Sequence, residues 1–186
     1  MSDTTSNEQN VEAGGSFSEM YAHMKQLAAS FLANSATSSD KTPSSLLHEA
    51  WVRVAETPKS PQQSVVTDER LSLANALYNV LRDHAQQMRA AGELKSGFIQ
   101  LSLSDVDEPT QQYDGPAFAI DMLQLDEAMV KFRASYPDHA QLLQLYFFSG
   151  MSMAECAVAL KVSHRTAERY WQFSRAWMNR ELTTNS

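Results

Sequence analysis

Gly150-Met-Ser-Met-Ala-Glu-Cys-Ala-Val-Ala-Leu-Lys-Val-Ser-His-Arg-Thr-Ala-Glu-Arg169 is the most specific stretch of this sequence. Ser152 followed three residues later by Glu155 is a capping box, in which hydroxyl and carboxylate each satisfy a backbone N–H left orphaned at a helix start. A short helix therefore begins here. Ala154, Ala157 and Val158 are expected to face inward, and the small Ala157 lets a second helix pack close. Leu160-Lys161-Val162 reads as a tight turn that plugs the core. Ser163 then caps a second helix. Its inward face would be Thr166 or Ala167, Tyr170, Trp171, Ser174 and Trp177, which leaves His164, Arg165, Glu168, Arg169 and Gln172 pointing outward.

That pattern is what reading DNA requires. In a helix-turn-helix the second helix enters the major groove, its first turns meet base edges, and its partner braces it against the backbone. An arginine can take two acceptors on guanine and a glutamate can accept from cytosine. The plainer reading is a helical hairpin with a solvated charged face. The joint presence of capping box, short helix, tight turn and basic second helix favours the DNA reader.

Outward from this motif the chain stays helical. Leu123, Leu125, Met129 and Phe132 mark one helix; Pro137 opens another, which holds Leu142, Leu143, Leu145, Tyr146 and Phe147 and stops at Gly150. In the N-terminal half, Phe17, Met20, Tyr21, Met24, Leu27, Ala28 and Phe31 recur every three or four residues and form one apolar stripe. Thr42-Pro43 starts a second helix, a capping hydroxyl with proline at the first helical position. Its buried face should hold Leu46, Leu47, Ala50, Trp51 and Val54. Thr67-Asp68-Glu69 starts a third, with the stripe Leu71, Ala74, Leu77, Tyr78, Leu81, Ala85 and Met88. Phe98, Ile99, Leu101 and Leu103 suit a short extended segment, too few alternating positions to claim a sheet. The expected fold is all-α, with two small helical domains joined by an acidic linker and the C-terminal one a helix-turn-helix four-helix bundle. The boundaries are 1–15 as a disordered tail, 16–96, the linker 97–120, and 121–186.

Composition constrains partners. The chain has 186 residues, 43% of them hydrophobic, enough for a buried core. No run approaches about 18 apolar residues, and the acidic start lacks a secretory signal, so a cytoplasmic location without membrane association is expected. The net charge of −7 argues on its own against phosphate binding. Its distribution argues the other way: Lys161, Arg165, Arg169, Arg175 and Arg180 face the single acid Glu168, whereas Asp105, Asp107, Glu108, Asp114, Asp121, Asp126 and Glu127 form a stretch without a base. The lone Cys156 suits a small buried apolar residue and excludes an internal disulfide.

Longer matches point to a family. Leu143 through Glu155 and Ser163 through Met178 resemble the upstream-element (−35) reading domain of extracytoplasmic-function sigma factors. The resemblance is closest to a subgroup whose recognition helix runs into an aromatic-rich segment, here Trp171 to Trp177. Thr42-Pro-Ser-Ser-Leu-Leu-His-Glu-Ala-Trp-Val-Arg-Val54 is similar to the family's polymerase-clamp-binding helix, and Tyr78-Asn-Val-Leu-Arg-Asp-His-Ala85 to the helix that melts and reads the downstream (−10) element.

The resemblance implies a sigma factor that joins RNA polymerase core, at its clamp and flap, and directs it to promoter DNA; an anti-sigma factor is a further partner it allows. It places upstream-element binding at Ser163, His164, Arg165, Thr166, Glu168, Arg169 and Gln172. Downstream-element binding falls on Asn79, Arg82, Asp83, Gln86, Gln87 and Arg89, and polymerase binding on Leu47, His48, Glu49 and Arg53, with Trp51 expected in the core. The loop Thr57 to Glu69 lies where the family captures a flipped base. One departure stands out: after Asp83-His84 the usual dense basic run is reduced to Arg89 and Lys95. This motivates an alternative, a stand-alone helix-turn-helix regulator without promoter melting. A third reading is a helical protein that titrates a regulator.

Catalytic readings fare poorly. His48-Glu49 could open a zinc-protease motif, but Val52 stands where the second histidine is needed. There is no glycine-rich phosphate loop and no Gly-x-Ser-x-Gly elbow. No cofactor, metal or enzymatic activity is expected.

Overall fold

The computed structural model describes residues 5–33, 41–56, 65–92, 97–101 and 118–184. Within them, seven helices and two strands follow in the order α1 (Thr5–Ala33), α2 (Pro43–Glu56), α3 (Val65–Ala90), β1 (Phe98–Leu101), β2 (Phe118–Asp121), α4 (Met122–Ser135), α5 (Pro137–Ser149), α6 (Met153–Ala159) and α7 (His164–Thr184). The fold is all-α apart from the small sheet.

Helix α1 starts at Thr5, so residues 5–15, expected in a tail, are helical. Extending an existing helix fixes one residue per hydrogen bond, whereas starting one is costly, so a stripe that anchors the later turns lets the earlier ones form. Met20, Met24, Leu27, Ala28 and Phe31 are buried, while Phe17 and Tyr21 stay exposed at the rim. The start of α2 forms as expected: Ser45 N–H donates to Thr42 Oγ1 at 3.1 Å, and Thr42 N–H donates to Ser45 Oγ at 2.9 Å. Leu46, Leu47 and Ala50 are buried, but Trp51, expected in the core, is 39% exposed. One residue past Ala50 is a 100° turn of the helix, enough to carry the indole off the buried face, where its ring lies 5.8 Å from that of Phe17. Helix α3 begins two residues before the expected cap.

The sheet was not expected. β1 and β2 pair antiparallel, with Phe98 opposite Asp121 and Leu101 opposite Phe118; Ile99 and Ile120 face each other and are buried. The second strand comes from the end of the stretch read as acidic linker.

In the C-terminal half, Asp121 caps α4 by accepting from Leu123 N–H at 2.8 Å, and Pro137 stands at the start of α5. Every residue from Leu142 to Ser149 is buried. A helix buried all round sits at the centre of a packing arrangement, and α5 is covered by α1 and α3 on one side and by α4, α6 and α7 on the others.

The helices before and after the sheet therefore share one core. Tyr78 of α3 meets Phe148 of α5 edge-on at 5.1 Å and donates its hydroxyl to Asp126 Oδ1 at 2.5 Å. Burial and that carboxylate push the Tyr78 phenol well above its ordinary pKa. Arg70 pairs with Glu155 at 2.9 Å. His23 Nε2 lies 2.8 Å from the Phe147 carbonyl oxygen and donates to it. Burial holds this ring below its ordinary pKa, so it is neutral near neutral pH. Gly150 ends α5 in the left-handed region at φ 68° directly beneath the same ring.

Candidate nucleic-acid interface

The α6-turn-α7 unit is built by its caps. Ser152 Oγ accepts from Glu155 N–H at 3.3 Å, and Glu155 Oε2 accepts from Ser152 N–H at 2.8 Å. These bonds hold the Glu155 carboxyl below its ordinary pKa against the upward push of its partial burial, with Arg70 adding to the effect. Cys156 and Ala157 face inward; Ala154 and Val158, expected there, are exposed, Val158 at 75%. The reason is geometric. A helix that begins at Met153 places Met153, Cys156, Ala157 and Leu160 at the i, i+3, i+4, i+7 spacing of one face. Cys156 is fully buried, and burial pushes its thiol up to about 12.

The turn closes through Lys161 N–H to Val158 O at 3.1 Å and Val162 N–H to Ala157 O at 3.0 Å. Lys161 adopts φ 55°, the left-handed region that a side chain normally avoids. Ser163 Oγ then accepts from Thr166 N–H at 3.1 Å and lies 2.8 Å from the Thr166 hydroxyl, so both side chains are used in starting α7. Ala167, Trp171, Ser174 and Met178 form the buried face, with Tyr170 and Trp177 half-buried.

His164, Arg165, Glu168, Arg169 and Gln172 are all exposed, on the first turns of α7. His164 and Glu168 approach each other at 3.4 Å across one turn. Arg165 and Arg169 make no hydrogen bond or ion pair with any described residue. Two unengaged guanidinium groups a turn apart, on a capped helix braced by a short one, can meet phosphates or paired acceptors on a base.

The N-terminal candidates do not gather on one open face. Leu47 is 2% exposed and belongs to the core, so it offers no surface to a partner. His48 is exposed. Arg53 bridges Glu49 of its own helix and Asp83 of α3, each at 2.8 Å, and His84 reaches Glu49 at 3.1 Å. Burial alone would raise the Glu49 and Asp83 carboxyls, but hydrogen bonds from His84 and Arg53, and from Arg53 and Arg82, hold both below their ordinary values. These charges fasten α2 to α3. Gln86 and Gln87 are exposed. Arg89 is tied to Asp121, and its Nε is buried without a partner. Asn79 and Arg82 line a cleft facing α4 and α5. Residues 57–64 of the loop expected to capture a base, and 102–117 of the acidic stretch, lie outside the described residues.

A family model described as ECF sigma factor matches residues 5–184. No curated protein and no solved structure matches the chain. A match over nearly the whole length, on an all-α fold, settles the class: the chain belongs to the ECF sigma factor family. It is accordingly a factor that binds RNA polymerase core and directs promoter-specific initiation. Among the described residues, no helix is long and apolar enough to cross a membrane.

Proposed function

We propose that residues 121–186 read the upstream promoter element through the first turns of α7, with Arg165 and Arg169 as the principal base or phosphate contacts and His164, Glu168 and Gln172 beside them. Ser163 and Thr166 orient this helix through its cap. The carrying observation is that both guanidinium groups are exposed and unengaged while the rest of the motif is fastened. Residues 16–96 engage the polymerase clamp and hold the melted downstream strand, with His48 and the Glu49–Arg53 pair on the clamp side and Asn79, Arg82, Asp83, Gln86, Gln87 and Arg89 on the strand side. The exposed Phe17–Trp51 pair beside His48 adds an aromatic anchor of the sort that dominates protein interfaces. The polymerase flap and an anti-sigma factor are further partners of this reading, which sets the protein in the cytoplasm. The aromatic segment Trp171 to Trp177 supports membership of a subgroup with an extended recognition helix.

In vitro transcription with core enzyme tests this. The full chain should form a stable complex with core and start transcription at a defined promoter, and the double variant Arg165→Ala/Arg169→Ala should keep the complex but lose the promoter. Absence of a complex with core, or a double variant as active as the parent, would refute it.

A further inference from the structure

Between α3 and the α4–α5 corner lies a cleft of about 510 Å³, within the roughly 300–1,000 Å³ of small-molecule sites. Asn75, Asn79 and Arg82 enter it from α3; Arg133, Gln141 and Gln144 enter from α4 and α5. Of these six, only Arg82 is engaged, with Asp83 at 2.9 Å. Arg133 and all four amides make no hydrogen bond or ion pair with any described residue. Gln144 is the telling one. It is only 6% exposed, on a helix otherwise packed with apolar side chains, yet its amide is left open toward the cleft. Its side-chain N and O are not sealed from solvent, so the amide is hydrated while the cleft is empty and can exchange that hydration for the polar edge of a ligand.

The lining also fixes the chemistry. Each amide offers a donor beside an acceptor, the pattern that pairs with the edge of a nucleobase. Leu71, Val130 and Pro137 supply apolar wall for a ring face. The one carboxylate, Asp126, is occupied by the Tyr78 hydroxyl, and Arg133 adds a cation suited to phosphate. We propose that this cleft binds a nucleotide, with the base among Asn75, Asn79, Gln141 and Gln144 and the phosphate on Arg133. Because both halves of the chain line the site, occupancy fastens them together. If the promoter reading of Asn79 and Arg82 holds, bound nucleotide and melted strand exclude each other, and that clause alone rests on the earlier proposal.

Binding is read without polymerase, so it stands or falls separately from promoter selection. The full chain is titrated against ATP and GTP carrying a ribose fluorophore, following anisotropy, and then challenged with unlabelled mononucleotide or a short single-stranded oligonucleotide. Saturable binding that weakens about tenfold in Arg133→Gln, on the loss of one charge-assisted contact, and also weakens in Gln144→Leu, supports the site. Displacement by mononucleotide assigns a free nucleotide; displacement only by the oligonucleotide, with the same Arg133 dependence, assigns an unstacked nucleotide of a strand. Arg133 is exposed, so its variant keeps the fold even if the Gln144 variant does not. No saturable binding at millimolar nucleotide, or binding unchanged in Arg133→Gln, overturns the proposal.

Discussion

Replacing Gly150 by alanine probes the seam between the two halves of the molecule. A side chain at φ 68° bears about 1–2 kcal/mol of backbone strain. The new Cβ would stand 2.6 Å from His23 Cγ, 2.8 Å from Cδ2 and 3.0 Å from His23 Cβ. These atoms sit at the root of the ring, so the whole side chain must move, an overpacking cost of about 1–3 kcal/mol. Moving it also strains the bond to the Phe147 carbonyl, about 0.5–1.5 kcal/mol net. The expected loss is about 3–5 kcal/mol, a large share of the roughly 5–15 kcal/mol that holds a domain folded. Urea unfolding followed by circular dichroism measures it. A double-mutant cycle isolates the cause: with His23→Ala in the background the ring clash is gone and only the backbone part and the 3.0 Å approach to the remaining Cβ are left, so Gly150→Ala should cost about 1–3 kcal/mol, clearly less than in the parent. A loss below about 1 kcal/mol in the parent, or the same loss in both backgrounds, would refute the reasoning.

Arg165→Ala and Arg169→Ala should each weaken promoter affinity by about 1–3 kcal/mol if they meet base edges, with melting temperature and core binding unchanged; gel shift of the holoenzyme checks this. Tyr78→Phe leaves Asp126 without its hydroxyl donor and should lower stability by about 1–3 kcal/mol in urea unfolding. Stability should also fall as pH drops below about 6.5. The unfolded His23 takes up a proton there while the buried, pKa-lowered ring does not, so acid favours the unfolded chain. His23→Gln should flatten that slope, whereas the carboxyls Glu49 and Asp83, lowered in the fold, add a second decline only below about 4.5.

What the sequence disclosed is local. The capping box at Ser152, the Thr42-Pro43 start, the Gly150 stop and the outward set on α7 each follow from chemistry within a few residues, and each is found in place. What it concealed depends on distance. Val158 is apolar yet 75% exposed, because the face of α6 is set by where its first residue sits against α7. Trp51 escapes the core for a similar reason. Nothing within α5 distinguishes Gln144 from its apolar neighbours as a cleft residue; its partners across the cleft are more than fifty positions away in the chain. Arg70 and Glu155 likewise carry no mutual signal in sequence, since the packing of α1 and α3 on α5 is what brings the two halves together.

The β1–β2 pairing has a consequence for the acidic segment. Leu101 and Phe118 face each other across the ladder, so residues 102–117 leave and return at one spot, with their ends about 5 Å apart. Lengthening such a detour is cheap, about 0.6 kcal/mol for each doubling, and a nick within it would leave the two pieces clasped by the core they share. Its length can therefore vary at little cost to the architecture on either flank.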